Sequence, residues 1–291
     1  MYYREVYMKK GRVVLIVLVI ILFLVGGVLA AYFGVVRTKS KSYNLIELKA
    51  DNLPAKAVPV EDDYVQLSEV KMHYVRYGTG VQPVILIHGN GGSCDSLKEL
   101  AQYLGNDYSV YCIDSRCQGK SSDPGVITYD LMAGDVHEFI MAKLAVQPYV
   151  LGHSDGAIVA LSLASLYPDS LAACISCGAN SHPSKFKLYF TLGVKINNLF
   201  HKDKLNDLML TLPDFTPEYL SHITVPTYVV AGEFDIMPLS DTVYIHEHIA
   251  GSEIAIVKWA GHSSYISRHG GQIYQLAKAY FDAQPIGTLF V

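Results

Sequence analysis

Short apolar runs alternate with helical patterns along most of the chain, from about residue 62 to residue 284. Strands of a parallel sheet that is covered by helices on both faces have no solvent side, so they appear as unbroken apolar runs. Between these runs, apolar residues recur at the spacing of about 3.6 residues that is typical of amphipathic helices. The pattern predicts one α/β domain with a doubly wound, mostly parallel sheet.

Each predicted element follows from one such run. The predicted strands are Tyr64–Glu69, Lys71–Tyr77, Val84–Ile87, Ser109–Ile113, Tyr149–Leu151, Leu171–Ser176, Thr227–Ala231 and Ile254–Val257. The first two are close enough to form a hairpin. The predicted helices cover about Ser96–Leu104, Tyr129–Leu144, Ala157–Leu166, Leu239–Ile249 and Gln272–Phe281. Residues 285–291 are expected to be a C-terminal tail.

An uncharged apolar segment, 13–36, precedes this domain. As a helix it is about 36 Å long, enough to cross a hydrocarbon core of about 30 Å. It predicts a single-pass transmembrane helix, a signal-anchor, between a short basic N-terminus, 1–12, and a tether, 37–61. An uncleaved anchor of this kind leaves its basic end in the cytoplasm, so we expect the domain outside it. The alternative is a cleaved signal peptide, with secretion after cleavage near Ala30.

The composition excludes two classes of protein. The chain of 291 residues carries 27 acidic and 23 basic side chains, a formal net charge of −4. Nucleic-acid-binding domains instead carry a basic surplus gathered on one face, so no nucleic-acid partner is expected. With 51% hydrophobic and 17% charged residues, the chain has ample apolar material for a core and is not a disordered protein.

The pentapeptide GHSDG, 152–156, lies between the predicted strand at 149–151 and the predicted helix at 157–166. A serine at such a junction lies on a tight turn with its hydroxyl above the sheet edge, and the flanking glycines allow close backbone approach. The bare pattern is common by chance, but its position between a strand and a helix makes it specific. Ser154 is therefore the predicted nucleophile.

A serine hydroxyl needs a general base within hydrogen-bond reach and an acid that orients this base. Of the eleven histidines, His262 follows the final strand, at the carboxyl edge where open α/β sheets bind ligands. Asp235 ends the preceding strand and is predicted to reach the same edge. Glu233, two residues earlier, is the alternative acid.

Two backbone N–H groups should stabilise the oxyanion that forms on an attacked carbonyl. We assign this role to the N–H of Asp155, which follows the serine, and to that of Asn90, in the glycine-rich loop 88–92. The loop lacks the Lys-Ser/Thr pair of a P-loop and the spacing of a dinucleotide fingerprint, so we expect no nucleotide cofactor. His246 and His248 point to different faces of a helix, so we expect no metal there.

The chain resembles the α/β-hydrolase fold family, which includes esterases and lipases, over residues 62–284. The resemblance rests on five motifs in this order: HGNGG (88–92), DSRCQGKS (114–121), GHSDG (152–156), GEFD (232–235) and AGH (260–262). It implies an eight-stranded, mostly parallel sheet, a Ser-His-Asp triad and no cofactor. The order Ser154, Asp235, His262 is also that of the family. In such proteins the segment after the sixth strand covers the pocket, so 179–222 is expected to be a short lid.

Two positions depart from the family pattern. Cys117 stands where members usually have glycine, so the turn at this point is expected to be altered. Asp155 stands where an apolar residue or an amide is more frequent. Its carboxylate would oppose the oxyanion if it faced the pocket, so we expect the side chain to point away and only the N–H to be used.

These residues predict a membrane-anchored serine hydrolase that cleaves a carboxylic ester through an acyl-enzyme intermediate. The apolar lid favours a small-molecule or lipid-like ester, although the same residues can instead pack on the core. Thioester, amide, peroxyacid and carbon–carbon bond hydrolysis are alternatives within serine chemistry. A catalytically inactive, tethered binding protein on the same fold is the alternative from another class.

Overall fold

The computed structural model of the protein describes residues 18–19, 22–27, 43, 45–266 and 270–290. The strands are β1 (Leu45–Ile46), β2 (Pro59–Gln66), β3 (Lys71–Tyr77), β4 (Pro83–Ile87), β5 (Ser109–Ile113), β6 (Tyr149–His153), β7 (Ala173–Cys177), β8 (Thr227–Phe234) and β9 (Glu253–Gly261). The helices are α1 (Lys98–Leu104), α2 (Tyr129–Lys143), α3 (Asp155–Leu166), α4 (Leu188–Phe200), α5 (Lys204–Thr211), α6 (Pro217–Ser221), α7 (Leu239–Glu247) and α8 (Gly270–Asp282). Three short 3₁₀ turns lie at Cys94–Leu97, Pro168–Ser170 and Pro183–Lys185.

The chain divides into two compact units, residues 1–43 and 44–291. In the first unit, residues 18–19 and 22–27 are helical. The rest of the predicted anchor, 13–36, lies outside the described residues. No helix in the described part of the chain is both long enough and apolar enough to cross a membrane.

The second unit contains one mixed sheet with the strand order β1-β9-β8-β7-β6-β4-β5-β3-β2. Neighbouring strands are parallel from β1 to β5, whereas β3 pairs antiparallel with both β5 and β2. The hairpin predicted for the first two strands is confirmed, with Tyr64 opposite His73. The mostly parallel α/β sheet predicted from the apolar runs is therefore confirmed.

The described sheet has nine strands, one more than predicted. The additional strand β1 pairs in parallel with β9, with Leu45 beside Ile256 and Ile46 beside Val257. A strand of two residues gives no apolar run, so the pattern does not reveal it. It covers part of an edge of β9 that would otherwise present unpaired backbone groups. Because β1 and the start of β2 lie within 37–61, the sheet begins inside the predicted tether and not at residue 62.

The core lies on both faces of the sheet, as β4 illustrates. Ile85 and Ile87 belong to the apolar cluster that includes α2 and α3, whereas Val84 and Leu86 belong to the cluster that includes α1 and α8. All four side chains are at most 1% exposed. Successive residues of a strand point to opposite faces, so a strand buried on both faces needs an unbroken apolar run.

The predicted carboxyl ends of β8 and β9 come too early in the chain. The sequence predicts that these strands end at Ala231 and Val257, but they extend to Phe234 and Gly261. A register shift between Gly232 and Phe234 interrupts their pairing. This irregular part contains a glycine and a glutamate, so it does not continue the apolar pattern.

The parallel strands have two edges with different roles. The loops after β4, β6, β8 and β9 lie at the carboxyl edge, where the predicted site residues follow. The insert between β7 and β8, predicted as the lid, contains α4, α5 and α6. At the amino edge, the predicted C-terminal tail is packed on the domain: the Gly287 N–H donates to Gln82 Oε1 at 2.8 Å, and Leu289 forms a β-bridge with Val146.

Candidate active site

Ser154 lies on a sharp turn between β6 and α3. Its backbone has φ 56° and ψ −121°, a left-handed conformation that is rare for residues other than glycine. The surrounding hydrogen bonds hold it there: its N–H donates to the Cys177 carbonyl at 2.9 Å, and its carbonyl accepts the N–H of Ala157 at 2.8 Å. A strained backbone at one residue, fixed by its neighbours, is typical of functional sites.

The two glycines that flank this turn have no room for a side chain. A Cβ atom at Gly152 would lie 1.9 Å from the carbonyl oxygen of Gly156. A Cβ atom at Gly156 would lie 2.1 Å from the carbonyl oxygen of Ile87, in the neighbouring strand β4. The G-x-S-x-G spacing therefore lets helix α3 start directly against the sheet and raises the serine above its edge.

His262, on the loop after β9, lies between Ser154 and Asp235. Its Nδ1 is 2.7 Å from Asp235 Oδ1, and its Nε2 is 2.9 Å from Ser154 Oγ. A carboxylate can only accept, so Nδ1 carries the proton of the first bond, and Nε2 of the neutral ring is then an acceptor for the serine hydroxyl. The structure thus brings together the three residues that the sequence predicts as nucleophile, base and acid.

Asp235 is 1% exposed and is held in its ionised form. Burial alone would raise the pKa of this carboxyl, but His262 and the N–H groups of Gly232 and Ile236 outweigh it and keep the pKa below its usual value. Those N–H groups donate at 3.2 and 2.7 Å. Glu233, the alternative acid, accepts instead from the N–H of Trp259 at 2.9 Å.

The predicted oxyanion donors, Asn90 and Asp155, line the same cavity as Ser154. Asn90 follows β4 and Asp155 begins α3. Within residues 45–266 and 270–290, no protein acceptor is seen for either backbone N–H. The start of a helix also favours negative charge, because its first N–H groups point outward.

The cavity over Ser154 has a volume of about 310 Å³. Its polar end is formed by Ser154, His262 and the two predicted oxyanion donors. Its apolar walls are formed by Phe186 and Phe190 at the start of the lid, Met209 of α5 and Ile236 after β8. One polar end and apolar walls suit a substrate with a single reactive polar group on an apolar body.

Known proteins resemble this chain in sequence. A family model described as alpha/beta hydrolase fold matches residues 82–201. The chain is 31% identical over 121 residues to the uncharacterized hydrolase YraK of Bacillus subtilis, a match that covers 40% of this chain and 44% of YraK. It is 34% identical over 89 residues to the esterase YbfF of Escherichia coli, a match that covers 31% of this chain and 35% of YbfF. The chain thus spans less than half the length of these two relatives.

Solved structures resemble it over a longer part. The structure of a membrane phospholipase A, a bacterial virulence factor, matches with a TM-score of 0.64 and 19% identity, and the match covers 92% of this chain and 97% of that chain. At this identity the likeness shows the fold. The family model, the relatives and the solved structures together indicate the α/β-hydrolase fold for this chain. In this hydrolase-fold protein, the family motifs accordingly lie at the carboxyl edge of the sheet.

Asp155, which departs from the family pattern, is 3% exposed. Its carboxylate accepts a hydrogen bond from Asn90 Nδ2 at 2.8 Å. Burial raises the pKa of Asp155 to about 6, while its contacts with Asn90 and with the Tyr129 hydroxyl act in the opposite direction. The Asp155 carboxylate is thus hydrogen-bonded to the side chain of Asn90, the other predicted oxyanion donor. Asp155 nevertheless lines the cavity.

Two histidines beside the site are held neutral by burial. Burial, followed by the proximity of His262, lowers the pKa of His153 to about 4, and its Nε2 lies 3.1 Å from the His262 carbonyl oxygen. Burial also lowers the pKa of His88, whose Nε2 accepts the N–H of Ser115 at 3.1 Å. Both side chains therefore position loops around the serine without adding charge. The local sequence gives no signal for these partners.

Cys117, the second departure, keeps the turn that a glycine would make. It has φ 63°, and its Sγ lies 3.2 Å from Asp123 Oδ1. The expected alteration of this turn is therefore not seen in the backbone, which has the left-handed conformation that glycine favours. Two residues later, Gly119 is confined because a Cβ atom would lie 2.4 Å from the Asp114 carboxylate.

One group in the described part of the chain has the residue types of a metal site: buried His73, Cys94 and Asp114. These side chains already bond to one another and to the backbone. His73 Nδ1 lies 2.8 Å from Asp114 Oδ2, the Cys94 N–H donates to Asp114 Oδ1 at 2.6 Å, and Cys94 Sγ contacts the Cys112 carbonyl at 3.0 Å. The group ties the loop after β4 to the loop after β5 and to strand β3.

Proposed function

We propose that this protein is a serine hydrolase that cleaves a carboxylic ester through an acyl-enzyme intermediate. The observation that carries the proposal is the continuous hydrogen-bonded chain from Asp235 through both ring nitrogens of His262 to Ser154 Oγ, with contacts of 2.7 and 2.9 Å. This arrangement activates a hydroxyl that is otherwise a weak nucleophile at neutral pH.

In the first half-reaction, Ser154 Oγ attacks the ester carbonyl while His262 Nε2 takes the hydroxyl proton. The ionised Asp235 stabilises the imidazolium that forms. The carbonyl oxygen becomes an oxyanion and accepts the N–H groups of Asn90 and Asp155. The carbon–oxygen bond to the alcohol then breaks, and His262 gives its proton to the departing alkoxide.

In the second half-reaction, water attacks the acyl group on Ser154. His262 takes a proton from this water, and the same two N–H groups stabilise the second oxyanion. The bond between the acyl carbon and Ser154 Oγ breaks, His262 returns the proton to the serine, and the carboxylic acid leaves. The three side chains regain their starting protonation states, so no external reactant besides water is needed.

The apolar walls of the cavity favour a substrate with an apolar acyl group. Phe186, Phe190, Met209 and Ile236 supply aromatic and aliphatic surface beside the serine. Two of the similar proteins, an esterase and a membrane phospholipase A, are by name enzymes that act on esters. Lipid-like esters are therefore the substrate class that we propose.

We further propose that residues 13–36 anchor the protein in a membrane, with the catalytic domain outside the cytoplasm. The support is the length of this uncharged stretch, which is sufficient for one membrane crossing. An anchored protein should stay with membranes through high-salt and alkaline carbonate washes. Release by high salt alone would contradict the anchor, and a mature N-terminus near residue 31 would identify the secreted alternative.

Hydrolysis of a p-nitrophenyl ester series, from acetate to palmitate, tests the reaction in the full-length protein. We expect turnover that rises with acyl length, and a loss of at least about 10⁴-fold in kcat for Ser154→Ala. A fluorophosphonate probe should label wild-type protein at Ser154 and leave the variant unlabelled. A folded protein that neither turns over any ester nor reacts with the probe would contradict the proposal and favour the binding-protein alternative.

A further inference from the structure

Helix α4 of the lid has an unusual surface, because none of its thirteen residues is buried. Several of its largest apolar side chains are strongly exposed: Leu199 by 82%, Phe200 by 78% and Leu188 by 72%. Leu192 and Ile196 are exposed by 47% and 54%. Contiguous apolar surface of this kind on a soluble domain marks a site of interaction.

These side chains lie on one face of the helix. At about 100° per residue, Leu188, Leu192, Ile196, Leu199 and Phe200 fall within an arc of about 120°. We call these five residues the apolar arc. Phe190 lies outside the arc and lines the cavity over Ser154. The helix therefore has apolar side chains on two faces, one toward the site and one toward the surroundings.

Within the segment 181–202, which contains the apolar arc, the charged side chains have one sign. Residues 181–202 contain four lysines and two histidines but no aspartate or glutamate, although the whole chain has a net charge of −4. Lys185, Lys195 and Lys202 are exposed. An apolar arc rich in leucine and phenylalanine, with lysines beside it, is the pattern of helices that lie in the interface of an anionic membrane.

We propose that α4 docks on an anionic lipid surface. The apolar arc enters the boundary between headgroups and acyl chains, and Lys185, Lys195 and Lys202 contact lipid phosphates. This inference names the partner of the proposed active site and rests on the proposed function only for what happens to a bound ester. The docking itself depends on the helix surface and its charges.

The charge pattern favours a lipid surface over a second copy of this chain. A second α4 would bring the same lysines into contact with one another, and like charges at short distance repel. Anionic headgroups instead complement all of them. The uncharged stretch 13–36, predicted from the sequence to enter a membrane, would also keep such a surface available.

Docking would place the entrance of the active site at the lipid surface, where lipid-like esters are found. Phe186 and Phe190, at the start of the lid, line the cavity wall beside Ser154. An acyl chain that leaves the bilayer next to α4 would therefore meet apolar side chains along its way to the serine. A soluble ester has no need of this contact.

The test uses the full chain in phospholipid vesicles, with an NBD dye attached to Leu192→Cys. A Cys117→Ser background avoids labelling of the one cysteine that is not buried. Lipids brominated on their acyl chains quench the dye only when it reaches the hydrocarbon region. We expect strong quenching in vesicles with about 30% anionic lipid and weaker quenching in zwitterionic vesicles.

Val81→Cys is the matched control, because Val81 is 87% exposed and precedes β4 at the amino edge of the sheet. A dye at this position should not be quenched in either kind of vesicle. Equal quenching at both positions, or none at Leu192, would overturn the proposal.

Charge removal tests the lysines separately. Replacement of Lys185, Lys195 and Lys202 by glutamine should weaken docking on anionic vesicles by about fivefold per lysine at low salt and leave zwitterionic vesicles unaffected. An unchanged response to anionic lipid would contradict the assigned role of these charges.

The docking assay is independent of catalysis. Ser154→Ala should give the same quenching as the wild type, so a failure of ester hydrolysis and a failure of docking can be distinguished. In detergent micelles without vesicles, the Leu192 dye should show the same degree of exposure to water at all protein concentrations. If it becomes shielded as the concentration rises, a second copy covers the apolar arc and the proposal is wrong.

Discussion

The side chain of Asn90 joins Asp155, the residue after the proposed nucleophile, to the lid. Asn90 Nδ2 donates to Asp155 Oδ2 at 2.8 Å and to the Leu205 carbonyl in α5 at 3.1 Å. One amide thus connects the loop after β4, the start of α3 and the lid. Because this loop also supplies a proposed oxyanion donor, the charge on Asp155 bears on both catalysis and stability.

Asp155→Asn should make stability less dependent on pH. Burial raises the folded-state pKa of Asp155 from 3.8 to about 6, so the ionised carboxylate disfavours the folded state above pH 6. This penalty disappears as the pH falls through 6 toward 4. We expect the variant to be more stable than the wild type by up to about 3 kcal/mol at pH 8 and equally stable near pH 4. Urea unfolding at both pH values measures this, and a pH-independent difference would contradict it.

Asn90→Ala removes the amide and retains the backbone N–H. The ionised Asp155 then loses a charge-assisted hydrogen bond, which should cost about 1.5 to 3 kcal/mol of stability at pH 8. The cost should shrink in an Asp155→Asn background, because the partner is then neutral. A double-mutant cycle in urea measures the coupling, and additive effects of the two changes would show that the bond contributes nothing.

Asp235→Asn tests the assigned acid against its neighbour. The amide can present its N–H₂ to His262 Nδ1 and so favours the wrong ring tautomer, which should lower kcat by about 10³ to 10⁴-fold. Glu233→Gln is the matched control at the same strand end, and its kcat should stay within about tenfold of the wild type, because Glu233 bonds to Trp259. A larger loss for Glu233→Gln than for Asp235→Asn would reverse the assignment.

Gly156→Ala should destabilise the fold strongly, since its Cβ would lie 2.1 Å from the Ile87 carbonyl oxygen. We expect a loss of about 3 kcal/mol or more in the free energy of unfolding, because helix α3 must move away from β4. Gly193 in α4 has no atom within 4 Å of an added Cβ. Gly193→Ala should therefore add about 0.5 to 1 kcal/mol. Thermal unfolding compares the two, and similar effects would contradict this account.

The elements that the sequence predicts well are those with two buried faces or a required turn. The apolar run of β4 identifies the strand because no position in it can be polar. Ser154 is identifiable because a strand, a tight turn and a helix leave it one conformation. His262 and Asp235 follow from chain order and from the shared edge of a parallel sheet.

The features that the sequence does not reveal depend on contacts between distant segments. β1 consists of two residues whose strand conformation depends on pairing with β9. The local pattern of apolar residues therefore does not predict it. The bond from Asn90 to Asp155 joins side chains 65 positions apart. Helix α4 is missed because its apolar residues lie on two faces, which blurs the periodicity that marks an amphipathic helix.

The packed C-terminal segment is a suitable point for attaching the protein to a support. Gly287 and Leu289 contact Gln82 and Val146, which precede the amino ends of β4 and β6. These ends lie at the edge of the sheet opposite to the cavity. A solid support or a fluorescent reporter joined after residue 290 would therefore be held on the face opposite to Ser154. Immobilised in this orientation, the protein would keep both its cavity and the apolar arc of α4 open to vesicles that flow past.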